Sequence, residues 1–318
     1  MEKILLLGGY GFIGSNILSY IDKNYSEKYE VVVFDKFQEH PYGLKFKCVK
    51  NVYSGDFGDS TILSSIFGQE NIDFVIHSLS STVPATSRNV RFDIESNIIP
   101  TIELLELMAS HKVQRIIYLS SGGAIYGNIN NKIKHSEDDL TFPLSSYGIV
   151  KLCVEKYLYQ YNFLYGINPL ILRLSNPYGP YHFSSKQGIV NVALRSAFLG
   201  NKFSVWGDGE NRKDYIFIED FCDIIFKLIE KNLDKSIINI GSSNIYSVNS
   251  ILKMIKNYFD EFEWNYKESL ITDVTNLELN TDLLRSKIGE YKFTPLSEGI
   301  EKTINWIKEH NENTSRNN

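Results

Sequence analysis

Short apolar runs alternate with longer segments of helical periodicity along the first half of the chain. The apolar runs, which predict strands, cover residues 4–7, 31–34, 74–76, 116–119 and 170–172. The segments between them, which predict helices, cover residues 12–21, 61–67, 101–108 and 147–165. This alternation predicts an α/β fold with a doubly wound parallel sheet. The early strands are apolar at successive positions, as expected of strands that helices cover on both faces.

The second half of the chain lacks a clear boundary. Neither an internal repeat nor a Pro/Gly-rich linker divides the sequence, so we expect a smaller C-terminal lobe that interleaves with the first domain. The predicted first domain covers residues 1–174 and continues over about residues 214–245. The predicted lobe covers residues 175–213 and 246–310, and residues 311–318 form a polar tail.

Composition excludes several classes of protein. Of the 318 residues, 43% are hydrophobic and 22% are charged, and the formal net charge of −5 gives no indication of nucleic-acid binding. The three cysteines are far apart, and neither they nor the six histidines show a metal-ligand spacing. We therefore expect no metal, no disulfide and a cytoplasmic location. The N-terminal apolar run of four residues is too short for a signal peptide or a membrane span, so no membrane insertion is expected.

A glycine-rich turn follows the first predicted strand and opens the first predicted helix. The turn places Gly8, Gly11, Phe12, Ile13 and Gly14 where backbone N–H groups can approach a pyrophosphate, whose negative charge the helix N-terminus favours. Taken alone, the motif is weak evidence, and a tight turn that binds no ligand is the alternative.

An acidic residue at the end of the second predicted strand makes a ligand-free turn a poor explanation. Asp35 stands 21 residues after Gly14, where a carboxylate can accept hydrogen bonds from ribose hydroxyls. The same carboxylate would repel a 2′-phosphate, so the sequence predicts NAD rather than NADP. The positive charge of Lys36 beside it would instead attract a 2′-phosphate and so favours NADP.

A tyrosine and a lysine four residues apart provide the candidate chemistry. Tyr147 and Lys151 share one face of a predicted helix. A free phenol has a pKa near 10, so a base that works near pH 7 needs a lower pKa, and the charge of Lys151 can supply part of that shift. A surface pair on an amphipathic helix is the alternative for this spacing alone. We predict that Tyr147 is the acid/base and that Lys151 tunes it.

These motifs together resemble the extended short-chain dehydrogenase/reductase superfamily, and in particular its NAD-dependent nucleotide-sugar epimerases of the UDP-glucose 4-epimerase type. Residues 54–57, 74–77, 117–127, 173–180 and 206–210 also match, and the resemblance runs from about residue 3 to residue 308. It implies an NAD-binding Rossmann domain, a lobe that binds a UDP-sugar, and a homodimer formed through helices 94–111 and 147–165.

The resemblance also implies further site residues. The cofactor positions that it adds to the glycine turn and Asp35 are Lys36, Asp56, Phe57, Ser78, Leu79, Ser80, Asn97 and Ser120, together with Tyr147 and Lys151. The implied substrate positions are Asn176, Gln187, Arg212, Lys213 and Asp273.

Gly122 departs from the family pattern, because the family usually has a catalytic Ser or Thr there. Since side chains alternate along a strand, Ser121 should point away from the face that residue 122 would serve, unless the Gly122–Gly123 pair bends the strand end. We predict Ser121 as the second catalytic hydroxyl, with a water in its place as the alternative.

Two further departures from the family pattern affect the residues expected to bind the substrate diphosphate. Lys213 stands where the family commonly has Arg, so either Lys213 or Arg212 holds the diphosphate. Leu270 stands where a second family Arg is expected. The sequence therefore does not identify the nucleotide or the sugar of the substrate.

Four functions compete on this sequence. We favour 4-epimerisation of a UDP-hexose or UDP-N-acetylhexosamine through a 4-keto intermediate. A 4,6-dehydratase needs an Asp-Glu pair where this chain has Gly123 and Ala124. Asp35 argues against an NADPH-dependent reductase but not against an NADH-dependent one. The Tyr147/Lys151 pair argues against a non-catalytic NAD-binding protein.

Overall fold

The computed structural model describes residues 1–82, 89–127, 134–185, 187–233, 235–268 and 276–314. Its strands are β1 (Glu2–Leu7), β2 (Tyr29–Asp35), β3 (Val49–Ser54), β4 (Phe74–His77), β5 (Arg115–Ser121), β6 (Lys134–His135), β7 (Asn168–Leu174), β8 (Asn176–Tyr178), β9 (Phe203–Trp206), β10 (Arg212–Phe217), β11 (Ser236–Ile240), β12 (Ile245–Ser247), β13 (Trp264–Lys267) and β14 (Glu278–Leu279). Its helices are α1 (Phe12–Asn24), α2 (Ser60–Gln69), α3 (Val90–Asp93), α4 (Ile99–Ser110), α5 (Gly122–Ile125), α6 (Ser146–Tyr165), α7 (Ile189–Phe198), α8 (Ile218–Glu230), α9 (Val248–Lys256), α10 (Asp282–Ile288) and α11 (Leu296–Thr314), with a π-helical turn at Ile94–Ile98 between α3 and α4.

The central sheet has seven strands in the order β11-β7-β5-β4-β1-β2-β3. Strand β1 pairs in parallel with both β2 and β4, and β4 pairs in parallel with β5. The predicted doubly wound parallel α/β sheet is confirmed. Chain order reverses between β1 and β4, and in open α/β sheets ligands bind beyond the carboxyl ends of the strands at such a switch point.

One compact unit comprises Met1–Ser121, Ser145–Arg173 and Ile225–Ile238. Its core packs side chains of the parallel strands against α2, α4 and α6, with residues such as Leu5, Phe34 and Leu158 fully buried. Burial on this scale stabilises each large apolar side chain by roughly 1.5–3 kcal/mol relative to exposure. The carboxyl ends of β1, β2, β4 and β5 are thus rigidly supported.

The other compact unit comprises Gly122–Leu144, Leu174–Ile224 and Asn239–Asn318. It contains the three-stranded sheet β12-β10-β8 and the strand pairs β13-β9 and β14-β6. Its core includes Tyr178, Leu194 and Ile300 from β8, α7 and α11. The predicted division into a cofactor domain and a substrate lobe stays a prediction. Within the described ranges, no helix combines the length and the apolar character that crossing a membrane requires.

Candidate active site

The turn between β1 and α1 is built from glycines because side chains do not fit there. Gly8 has φ +77°, and a Cβ on it would lie 3.1 Å from the Cα of Leu79. A Cβ on Gly14 would lie 2.6 Å from the Cα of Gly9 and would also collide with the carbonyl oxygen of Gly8. Gly11 occupies the N-cap of α1 and has no side chain to accept hydrogen bonds from the first helical turn. The turn therefore presents backbone donors that suit an anionic pyrophosphate.

Phe12 and Ile13, the two other predicted residues of this turn, are the first residues of α1 and are both half-buried. Their backbone N–H groups belong to the first turn of the helix, where the dipole favours an anion. The structure therefore places all five predicted turn residues in one cradle.

Asp35 closes β2 beside this cradle. Its carboxylate accepts hydrogen bonds from the backbone N–H of Tyr10 at 2.9 Å and of Phe37 at 3.3 Å, so it also ties the glycine turn to the end of β2. Because each carboxylate oxygen has a second lone pair, both can still accept a ribose hydroxyl. Lys36 is exposed, and its ammonium lies 4.7 Å from the centre of the Phe37 ring. A buried carboxylate next to the glycine cradle fits NAD.

The segment after β4 lies against the same turn. The Ser78 hydroxyl donates a hydrogen bond to the carbonyl of Leu7 at 2.6 Å, and Leu79 is the residue that a Cβ on Gly8 would meet. The carboxyl ends of β1 and β4 are thereby joined where chain order reverses.

The predicted cofactor residues Ser80 and Asn97 sit farther along this edge. The Ser80 hydroxyl donates to the carbonyl of Thr82 at 2.8 Å. Asn97 lies in the π-helical turn, where its side-chain oxygen accepts from the Ser81 N–H at 2.9 Å. π-Helical turns inside α-helices are frequent at functional sites, and this one fixes the direction of the Asn97 amide.

Asp56 and Phe57 follow β3. The Asp56 carboxylate accepts from the Gly58 N–H at 2.8 Å. The Phe57 ring is buried and packs 5.9 Å from the ring of Phe34, so its contribution to an adenine site would come mainly through backbone and ring edge. Their predicted contact with the cofactor stays a prediction.

Helix α6 carries the tyrosine and the lysine. The Ser145 hydroxyl caps the helix by accepting from the Gly148 N–H at 3.2 Å, which places Tyr147 in the first turn. The Lys151 ammonium donates to the carbonyl of Leu119 at 2.9 Å and lies 5.8 Å from the centre of the Tyr147 ring. Tyr147 is half-buried and Lys151 is only 5% exposed, so this is not a surface pair.

Ser121 reaches Tyr147. Strand β5 ends at Ser121, and the helical turn α5 begins at the next residue, Gly122. The alternation of side chains therefore stops at the strand end, and the chain bends where Ser121 required a bend in order to reach Tyr147. The Ser121 hydroxyl lies beside Tyr147, close enough to lower the pKa of the Tyr147 phenol as a hydrogen-bond donor. Because Gly122 is helical, its backbone would also accept a side chain.

The structure does not give Tyr147 the low pKa that the sequence predicted. Burial raises the pKa of Tyr147 to about 12, and the hydrogen bond with Ser121 lowers it only in part. Burial also lowers the pKa of Lys151 to about 8, against the opposing effect of Glu155. The physical reason is that desolvation penalises the charged form of both groups. Lys151 is therefore protonated only below about pH 8.

A buried ionic network adjoins this pair, and the sequence analysis did not identify it. Glu155 accepts hydrogen bonds from the Ser120 hydroxyl at 2.5 Å and from two nitrogens of Arg173 at 2.8 and 3.2 Å. All three residues are at most 5% exposed. The available signal was spacing, since Tyr147, Lys151 and Glu155 stand four residues apart on one helix face. The predicted cofactor contact of Ser120 stays a prediction.

The predicted substrate residues occupy neighbouring strands of the second unit. The Asn176 amide donates to the carbonyl of Asp214 at 2.8 Å, and Asn176 pairs with Tyr215 of β10. Arg212 and Lys213 open β10, where consecutive side chains point to opposite faces. The structure thus brings Asn176 close to this basic pair, and only one of the two cations can share its face.

Gln187 is exposed and lies two residues before α7. Asp273 and Leu270 lie outside the described residues. Cys48, Cys153 and Cys222 are free cysteines, and within the described part of the chain no three His, Cys, Asp or Glu side chains gather as a metal site would require.

The sequence profile of the NAD dependent epimerase/dehydratase family matches residues 4–241. The chain belongs to this family. The predicted resemblance is thereby confirmed, and so is NAD as the cofactor of the family. The members of this epimerase/dehydratase family divide among several reactions, so membership alone leaves the reaction open.

Relatives in this family span most of both chains. A putative UDP-glucose 4-epimerase of Methanocaldococcus jannaschii is 30% identical over 314 residues, which are 97% of this chain and 99% of that protein. A dTDP-4-dehydro-6-deoxyglucose reductase of Escherichia coli is 26% identical, with 96% and 97% covered. The structure of a Thermotoga maritima UDP-glucose 4-epimerase with UDP-glucose superposes with a TM-score of 0.87 at 28% identity, covering 96% of this chain and 99% of that one.

Proposed function

We propose that this protein catalyses NAD-dependent 4-epimerisation of a UDP-sugar, either the glucose/galactose pair or the N-acetylhexosamine pair, through a 4-keto intermediate. The observation that supports it most is the cluster of Tyr147, Ser121 and Lys151 at the carboxyl end of β5. It joins a titrating hydroxyl, a second hydroxyl and a cation on one rigid helix–strand pair. The similarity to UDP-glucose 4-epimerases over the whole chain supports the same reaction.

The glycine cradle, Asp35 and Asn97 would hold the cofactor. NAD supplies, when bound, the reversible two-electron oxidation at C4 of the sugar. The cradle binds the pyrophosphate through backbone donors, and Asp35 accepts from the ribose. Since the product leaves at the oxidation level of the substrate, an epimerase has no need to exchange its cofactor between turnovers.

The proton chemistry belongs to Tyr147. Its phenolic oxygen takes the proton of the 4-hydroxyl as the 4-keto sugar forms and returns it to the same oxygen when C4 is reduced on its opposite face. Ser121 stabilises the charge that develops on the phenolic and sugar oxygens. Because burial keeps the Tyr147 pKa at about 12 with Lys151 already beside it, deprotonation near pH 7 requires positive charge beyond that of Lys151, which the oxidised nicotinamide of bound NAD would add.

The substrate contacts are part of the proposal. Asn176 with either Arg212 or Lys213 would hold the diphosphate, and Gln187 and Asp273 would contact the nucleoside or the sugar. Gly123 and Ala124, where the dehydratase pair would stand, offer no carboxylate for removal of water across C5–C6. The reductase reaction is the second candidate, because the Escherichia coli relative is named as a reductase.

We further propose a cytoplasmic homodimer. Helix α6 presents Ile149, Leu152, Tyr159 and Phe163 at intervals of three, seven and four residues, with Ile149, Tyr159 and Phe163 at least 55% exposed. Apolar side chains at this spacing form a stripe that a second copy of the helix can cover.

The test is a product analysis without added cofactor. We expect the purified protein, incubated separately with UDP-glucose and UDP-N-acetylglucosamine, to convert one of them into its C4 epimer. A 4-keto-6-deoxy product would indicate a dehydratase. In a parallel incubation with added NADH, net consumption of NADH would indicate a reductase. Either result would contradict the proposed reaction.

Tyr147→Phe is the matching variant. It should lower turnover by roughly 10²–10⁴-fold, the usual contribution of general acid–base catalysis, while the melting temperature and bound NAD are retained. Tyr165→Phe, at the exposed end of the same helix, is the control and should behave as wild type. Equal turnover in both variants would rule out Tyr147 as the acid/base.

A further inference from the structure

Three consecutive residues of β5 face three residues of α6 that stand four apart. Leu119 accepts a hydrogen bond from Lys151, Ser120 donates one to Glu155, and Ser121 lies beside Tyr147. The strand end and the helix face are therefore locked in one register. The middle contact, between Ser120 and Glu155, places a carboxylate in the protein interior.

Glu155 has no freedom to turn away from this position. Arg173 on β7 donates hydrogen bonds to both of its oxygens, from Nη2 at 2.8 Å and from Nε at 3.2 Å. Ser120 on the neighbouring strand β5 donates to one of these oxygens. Three hydrogen bonds fix a carboxylate that is 2% exposed, and water therefore screens its charge little. The carboxylate stands one helical turn beyond Lys151.

The titratable groups that face Lys151 include three neutral rings and one carboxylate. Tyr118 on β5 lies with its ring centre 4.9 Å from the ammonium, Tyr147 on α6 lies at 5.8 Å, and both are neutral near pH 7 because burial raises their pKa values. His77 on β4 is also neutral, since burial and the Lys151 charge lower its pKa to about 3. Glu155 is the anion that favours charged Lys151, against the burial that lowers the Lys151 pKa to about 8.

We propose that Glu155, clamped by Arg173 and Ser120, is a positioning residue that keeps Lys151 protonated beside Tyr147. It touches neither substrate nor cofactor in this role and acts through Lys151. The inference deepens the proposed function, because it concerns the same Tyr147–Lys151 pair. It also makes a statement about the ionisation of Lys151 that holds whichever sugar is turned over.

The test is a direct titration of Lys151 by NMR in protein labelled with ¹³C at lysine Cε, using Lys151→Arg to assign the resonance. In Glu155→Gln the titration midpoint of Lys151 should fall by about one unit, because Glu155 favours charged Lys151 and a neighbouring opposite charge typically shifts a pKa by about that much or more. Glu70→Gln is the matched control, since it removes another buried carboxylate of the same unit, paired with Lys3 at 2.8 Å. The control should leave the Lys151 midpoint in place.

An unpaired Arg173 could prevent Glu155→Gln from folding. The double variant Glu155→Gln/Arg173→Gln leaves neither charge unpaired, and a smaller fall in the Lys151 midpoint is expected, because the positive charge of Arg173 is removed along with the negative charge of Glu155. An unchanged midpoint in whichever of the two variants folds would overturn the proposal. The titration needs no substrate, so its outcome is separate from that of the epimerase assay; if epimerisation is confirmed, the alkaline limb of kcat should move down with the midpoint.

Discussion

At the scale of single residues, the chemistry depends on one strand end. Ser121 reaches Tyr147 because β5 stops there and α5 begins at Gly122. A hydroxyl one position earlier than the family's usual one can therefore contact the same phenol. In the proposed mechanism, backbone geometry rather than an added side chain thus compensates for Gly122.

We expect Ser121→Ala to lower kcat by ~10-fold or more with little change in KM, because its hydrogen bond matters most as charge develops on the reacting oxygens. Steady-state kinetics with the accepted UDP-sugar measure both constants. Adding Gly122→Ser to this variant should restore part of the rate, since the helical backbone at residue 122 accepts a side chain. A silent Ser121→Ala would mean that a water fills this position instead.

At the scale of elements, the cofactor cradle depends on how closely α1 approaches the end of β1. Gly14 lies against the backbone of Gly8 and Gly9, so the helix can start directly above the turn. Asp35 adds a second constraint by binding the Tyr10 N–H from β2. Helix start, turn and neighbouring strand are thus held together by contacts within the chain itself.

Gly14→Ala should disturb this arrangement, because the added methyl would meet backbone atoms that cannot rotate away. Overpacking of this kind typically costs ~1–3 kcal/mol, and we expect that loss in urea unfolding together with weaker NAD binding in a titration. Gly68→Ala in α2 is the control, since a Cβ there meets nothing within 4 Å. It should be neutral or stabilising by up to ~1 kcal/mol and should bind NAD as wild type does. Equal NAD affinity in both variants would contradict the role of Gly14.

At the scale of the whole molecule, the exposed stripe on α6 sets the expected assembly. Phe163 is 82% exposed and Tyr159 is 74% exposed, which is unusual for large side chains on a helix whose other face is in the core. The proposed second copy would remove them from water.

Light scattering after size exclusion should therefore give twice the chain mass of 36.5 kDa for the wild type. Phe163→Asp should shift the protein to the mass of a single chain, because a charge in an apolar interface is costly. Tyr258→Asp, at an exposed tyrosine of the other unit, should keep the larger mass. A wild type with the mass of one chain would rule out the dimer.

The amino-acid sequence by itself determined the features that depend on local chemistry. Continuous apolar runs identified β1, β2, β4, β5 and β7, because strands covered on both faces exclude polar residues. The pattern of apolar residues did not identify β3. This strand lies at the edge of the sheet, and its side chains are half-buried or exposed. The glycine turn and Asp35 were also predictable, since their roles follow from backbone sterics and from position at a strand end.

Tertiary structure decided everything that depends on which groups are buried together. The sequence predicted a low pKa for Tyr147 from the charge of Lys151, whereas burial of both side chains reverses that direction. Glu155 and Arg173 stand on different elements, and only folding shows that they form one buried pair. Spacing along a helix tells which side chains share a face, but the solvent exposure of that face, and hence the strength of each charge, is set by the elements packed against it.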